Sequence, residues 1–251
     1  MKISPVLRLC AFAAPLILSE TSHPVFATNA SELIAQADAA YAKREDVPQA
    51  KIAMVTYEQI AVMSSTRAVE AYWKASRSAW WLGENASERS EALDDFQSAM
   101  NLAQKAIDLN RDSVEAHFWL GATAGCYGKA KGILKSLALV KPIRHEMAEV
   151  IRLNDRFMNG AAYRVLGVVD YKVPALMGGN KTRAKGELDK AFAMGPSDPF
   201  VQYDYVDFYK TTGDLARSNA AFNALRTLQV PSELEPDRKM LERKAEQILS
   251  R

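Results

Sequence analysis

The chain has 251 residues, with 32 Lys+Arg against 30 Asp+Glu and a formal net charge of +2. That length makes one or two ordinary domains, and 48% hydrophobic residues are enough to build a core. The near balance of charge argues against a dedicated nucleic-acid binder, which shows a strong basic excess.

The first element reads as an export signal. Lys2 and Arg8 give a positive start, and LCAFAAPLIL, residues 9–18, forms an apolar stretch of h-region length. The stretch is too short to cross a bilayer, which takes about 20 residues. Val25 and Ala27 sit where a signal peptidase reads small residues, so cleavage is expected after Ala27. This divides the chain into a signal, 1–27, and a single domain, 28–251. Cys10 is preceded by Leu7-Arg8-Leu9 and followed by the apolar run, the reverse of a lipidation signal. An exported periplasmic protein without a lipid anchor is therefore expected. Only Cys126 then remains, so no internal disulfide can form.

Helical spacing dominates the rest. Residues 31–43 place Leu33, Ala37, Ala40 and Tyr41 on one side, and residues 48–63 place Ile52, Val55, Ile60 and Met63. Residues 66–82 carry Ala68, Tyr72, Ala75, Ala79 and Leu82; residues 87–109 carry Leu93, Phe96, Met100, Ala103 and Leu109. No stretch alternates with period two, so the chain is predicted to be all-α.

The helices repeat. Leu120-Gly121 follows His117 at the spacing of a tetratricopeptide unit, and Leu166-Gly167 follows Tyr163 in the same way. Trp73 and Trp80 fit an earlier copy; Tyr205, Tyr209, Gly213 and Phe222 continue a later one. The units are longer than usual, and a long second helix over 131–153 is predicted to absorb one excess. DRKMLERKAEQILSR, residues 237–251, reads as an amphipathic cap. The expected architecture is an irregular tetratricopeptide-like α-solenoid of about four helical hairpins plus this C-terminal helix.

GATAGCYGKAKG, residues 121–132, resembles a phosphate loop only superficially. Thr123 stands where that loop needs its first glycine, and Ala130 where it needs Ser or Thr. Gly121, Gly125, Gly128 and Gly132 instead form a stripe spaced 4, 3 and 4. Each costs about 1 kcal/mol against alanine in a helix. Two purposes remain open: close helix packing, or a groove floor left bare for a ligand.

Other constellations are sparse. His117 and His145 lie on different helices without metal-ligand spacing, so no metal or cofactor is expected, and His117 reads as an interhelical plug. Cys126 reads as a small buried thiol. Asp94-Asp95 and the pair Asp204 and Asp207 read as solvated helix faces, not acid/base dyads. Lys131 and Lys135 fall on one predicted helix face, with Lys141 and Arg144 beyond. Phe118, Trp119, Tyr127, Tyr163 and Tyr171 are core by default, or partly line the concave surface where repeat proteins bind. Val173-Pro174 should end a helix, Asn180 should cap the next, and the insertion between them, with Gly178 and Gly179, is a candidate lip of a pocket.

EAHFWLGATAGCYGKAKGILKSLALVKPIRHEMAEVIRLN and GAAYRVLGVVDYKVPALMGGNKTRAKGELDKAF together resemble the T-component family of tripartite ATP-independent periplasmic (TRAP) transporters. The resemblance implies a periplasmic helical-repeat protein without enzymatic activity. It further implies pairing with a TRAP solute-binding component, symmetric homo-oligomers, and an apolar pocket or pore that can hold an apolar small molecule. The binding residues it points to are Trp119, Tyr127, Lys131, Tyr163, Arg164, Tyr171, Gly178 and Gly179. The competing expectation is a general envelope scaffold with no transport role.

Overall fold

The computed structural model describes residues 23–251. Residues 1–22, including Arg8 and Cys10, lie outside the described residues, and so does most of the expected signal; α1 begins at His23, before the expected cut. Among the described residues the fold is all-α, with eleven α-helices and no strand. Five hairpins follow in order: α1 (His23–Ala42) with α2 (Val47–Met63), α3 (Ala68–Asn85) with α4 (Arg89–Leu109), and α5 (Val114–Lys131) with α6 (Val140–Asn154). Then come α7 (Ala161–Lys172) with α8 (Lys181–Met194), α9 (Pro199–Thr212) with α10 (Leu215–Thr227), and the closing α11 (Glu235–Leu249).

Local chemistry sets the helix ends. Ser113 opens α5 by accepting from the Ala116 amide, and Asn180, Asp198 and Asp214 do the same for α8, α9 and α10. Small side chains then let the pairs approach. Ala71, Ala75 and Ala79 of α3 and Ala99, Ala103 and Ala106 of α4 are all fully buried. The last hairpin is deeply enclosed: Val201 through Phe208 of α9 are buried without interruption, packed by α7, α8, α10 and α11.

Two expectations fail locally. The long helix over 131–153 is broken. Gly132 takes φ +101°, a conformation that favours glycine, and ends α5; a 3-10 helix, Ile133–Leu139, intervenes before α6. Ser136 Oγ lies 2.9 Å from the carbonyls of both Gly128 and Gly132 and satisfies the break. Lys131 and Lys135 therefore do not share a helix face. On α2 the inward stripe differs from the expected one: Ile52, Val55 and Met63 face solvent, while Ala50, Ala53, Tyr57 and Ile60 are buried.

The C-terminal helix folds back on the N-terminal hairpins. Arg44, in the turn between α1 and α2, is 2% exposed. Its guanidinium pairs with Asp237 of α11 and donates to the Glu233 carbonyl at 2.6 Å. It also lies over the rings of Tyr41 and Trp81, and Trp81 Nε1 donates to the Arg44 carbonyl at 2.8 Å. Further along α11, Lys244 pairs with Glu84 of α3. The curved array is thus closed by its last helix.

Candidate functional site

Against this closure lies a half-open cavity of about 460 Å³. Its wall comes from α3, α5, the 3-10 helix, α6, α7, α9 and α11. That volume falls in the range of small-molecule sites, about 300–1,000 Å³. One side is apolar. Trp80 and Trp119 meet with ring centroids 5.3 Å apart, Phe118 stands edge-on to Trp119 at 5.2 Å, and Phe200, Val165 and Val169 extend the surface.

The glycines of α5 serve both purposes left open by the sequence. A Cβ on Gly121 would lie 2.5 Å from Met147 Cε, so this glycine admits α6. A Cβ on Gly128 would lie 3.2 Å from Ser136 Cβ, so this glycine too allows a close approach. A Cβ on Gly125 would meet nothing within 4 Å, and this residue is bare cavity wall. The segment is helical and, among the described residues, no strand precedes it, so it is not a phosphate loop.

The other side of the cavity is polar. Glu84 of α3, Lys129 of α5, Arg164 and Lys172 of α7, and Tyr203, Asp204 and Asp207 of α9 all line it. Arg164 donates to Asp204 at 2.9 Å, Lys172 to Asp207 at 2.7 Å, and Lys129 to the Tyr203 hydroxyl at 3.3 Å. Tyr171, behind the wall, donates to Asp207 at 3.0 Å. Asp204 and Asp207 are therefore buried and paired, contrary to the solvated face expected for them. Burial opposes the charge of Glu84, but Lys244 beside it prevails and holds its pKa below the usual value.

Asp204 is pushed up to about 6 by burial, against the pull of Arg164 and with Asp207 and Asp198 adding to the rise. An acid whose folded pKa is raised binds its proton more tightly when folded. Its contribution is therefore most favourable below the unfolded value of 3.8 and declines as pH rises to about 6. The stability difference between wild type and Asp204→Asn is expected to fall by about 2 kcal/mol between pH 4 and pH 7. Urea denaturation of both proteins at pH 4 and pH 7 measures it; a difference that does not change with pH would refute this assignment.

The cavity's cysteine is quiet. Trp80 Nε1 donates to Cys126 Sγ at 3.4 Å, and burial, with Glu84 nearby, pushes the thiol pKa well up, so no reactive thiolate is presented. His117 is the interhelical plug expected: Nδ1 lies 2.6 Å from Glu146 of α6, and Nε2 2.9 Å from the Arg111 carbonyl. Among the described residues no cluster of His, Cys, Asp or Glu could hold a metal ion.

Of the eight residues singled out in the sequence, Trp119 and Arg164 line the cavity. Tyr163 is buried beneath Lys190, whose Nζ lies 3.7 Å from its ring centroid. Tyr171 is buried behind the wall. Tyr127 and Lys131 pair with each other at 3.4 Å outside it. Gly178 and Gly179 belong to the insertion after α7, where Arg144 and Arg183 each donate to the Gly178 carbonyl at 3.0 Å. Asn180 caps α8 by accepting from Arg183 N at 2.9 Å, and α7 ends at Lys172, both as expected. Sequence reasoning missed Trp80, Lys129, Lys172, Phe200 and Tyr203 as cavity residues. Only Lys129 carried a signal, its four-residue spacing from Gly125.

No helix among the described residues is long and apolar enough to cross a membrane. No curated protein matches the chain in sequence. Among solved structures, a thermophilic TPR protein from Thermus thermophilus superposes with a TM-score of 0.60 at 15% identity, covering 88% of this chain and 100% of that one. MamA gives 0.44 at 18% identity over 78% of this chain and 94% of its own. The first likeness agrees with a tetratricopeptide-like solenoid. A family model described as the TRAP transporter T-component matches residues 15–251, and the chain belongs to that family.

Proposed function

We propose that the chain is an exported, non-enzymatic adaptor that holds an apolar ligand in its cavity and docks a TRAP solute-binding component. The cavity carries this reading. A half-open pocket of about 460 Å³ with a Trp80–Trp119–Phe118 wall leaves apolar surface uncovered, which suits a small ligand of matching size and character. Its acids and cations are largely paired, which suits binding better than proton transfer. Residues 1–27 would serve as the leader and residues 28–251 as the working domain.

The insertion after α7 supports the docking half. Leu176 is 98% exposed and Met177 57%, on a loop pinned at Gly178 by two arginines. An apolar tip held on a fixed base suits a protein partner, because little ordering is left to be done on binding. The test is affinity capture from a periplasmic extract with wild type and with Leu176→Glu/Met177→Glu. A solute-binding protein recovered by wild type and reduced at least about tenfold by the variant is expected, equivalent to about 1.4 kcal/mol. Recovery of no solute-binding protein by wild type would refute the docking role and favour a general envelope scaffold.

A further inference from the structure

The carboxylates on the cavity wall are each matched by their own cation. Glu84 has Lys244, Asp204 has Arg164 and Asp207 has Lys172. One lining cation remains. Among the described residues Lys129 has no carboxylate within 4.0 Å, and its Nζ donates only to the Tyr203 hydroxyl at 3.3 Å.

The protonation of this pair is defined by its surroundings. Burial opposes the charge of Lys129, but the nearby carboxylates Glu84 and Asp207 favour it, and its pKa lies above the ordinary lysine value. Tyr203 is pushed up to about 12, chiefly by burial, so it stays a phenol. Its oxygen accepts from Lys129, and its own proton has no acceptor among the described residues. The cavity thus offers an ammonium and a hydroxyl donor side by side, with no carboxylate among the described residues in direct contact with either.

The position of the pair matters as much as its charge. Lys129 stands one helical turn after Gly125, on the same face of α5, so bare backbone lies next to the ammonium. Beyond it runs the apolar wall of Trp80, Trp119 and Phe118. A wall of this kind gives a sugar few groups to bond, and a neutral hydrocarbon leaves the ammonium unanswered. An anionic head with an apolar chain satisfies both ends. Two adjacent donors suit the two oxygens of a carboxylate, and charge-assisted hydrogen bonds are about twice as strong as neutral ones.

We propose that Lys129 and Tyr203 form the head-group site for a single-chain carboxylate amphiphile, with the chain lying along the aromatic wall. This rests on the cavity being a ligand site, as proposed above. The test separates the two claims by titrating purified protein with decanoate, decanol and decylamine below their aggregation thresholds, following the heat of binding and the tryptophan fluorescence, to which Trp80 and Trp119 of the wall contribute. Decanoate is expected to bind at least about tenfold more tightly than decanol, with decylamine weakest; one neutral-to-charged hydrogen bond is worth that factor. Lys129→Met should remove the preference for decanoate and leave decanol binding unchanged. Tyr203→Phe should weaken decanoate by a smaller factor.

Equal binding of decanoate and decanol by wild type would overturn the head-group site and leave the apolar cavity standing. Tighter binding of decylamine, or equal loss of decanoate and decanol in Lys129→Met, would also overturn it. No binding of any of the three would overturn the ligand-site reading itself. The head-group series on wild type decides the matter even where a variant fails to fold.

Discussion

Arg44→Met is expected to lower the free energy of unfolding by about 3–5 kcal/mol, the usual cost of removing one partner from a buried ion pair. The size follows from what the guanidinium touches. It is 2% exposed, pairs with Asp237, donates to the Glu233 carbonyl, and lies over Tyr41 and Trp81. Methionine keeps much of the packing volume but leaves Asp237 and a carbonyl unanswered. Burial already raises the Asp237 pKa, against the pull of Arg44, and without Arg44 it should rise further. The penalty should therefore shrink as pH falls and the carboxyl takes up a proton. Replacing both residues, Arg44→Met with Asp237→Leu, should recover much of the loss, because no buried charge is then stranded. Urea denaturation of the three variants at pH 7 and pH 4.5 measures all of this. A loss below about 1 kcal/mol for Arg44→Met, the range of an exposed pair, would show that α11 is not held by this contact.

That contact had no counterpart in the sequence reading, and the reason is separation. Arg44 and Asp237 stand 193 residues apart, and no local pattern links them. The repeat pattern was legible because it is local: His117 before Leu120-Gly121 and Tyr163 before Leu166-Gly167 mark α5 and α7, and Asn180 caps α8. Stripe assignment failed on α2 because both faces carry apolar residues. Tyr57 and the small Ala50 and Ala53 won the inner face, since close helix approach rewards small side chains over Ile52 and Val55. The break at Gly132 was hidden because that glycine also completes an evenly spaced stripe with Gly121, Gly125 and Gly128. The polar side of the cavity was misread for a related reason. Asp204 and Asp207, three apart on α9, look like any solvated pair; they are buried because neighbours enclose that helix. Lys129 finds Tyr203 across 74 residues, and Arg164 finds Asp204 across 40, distances over which spacing says nothing.

Gly125→Leu is expected to abolish ligand uptake without harming the fold. A glycine inside a helix costs about 1 kcal/mol relative to a good helix former, so the backbone alone should gain stability. The new side chain meets no obstacle, because a Cβ at Gly125 has nothing within 4 Å and points into the cavity. It would occupy the space between the aromatic wall and Lys129, where the proposed chain leaves its head group. Binding of decanoate and decanol should therefore fall together, by at least about tenfold, a loss of some 1.4 kcal/mol. This differs from the signature of Lys129→Met, which should affect decanoate alone. Gly186→Leu is the matched control: it also lies in a helix with nothing within 4 Å, but on α8 and off the cavity wall. It should gain helix stability in the same way and leave both affinities unchanged. Titration calorimetry paired with thermal denaturation distinguishes these outcomes. Unaltered affinity in a well-folded Gly125→Leu protein would place the ligand elsewhere, and the bare turn of α5 would then have no role beyond admitting its neighbours.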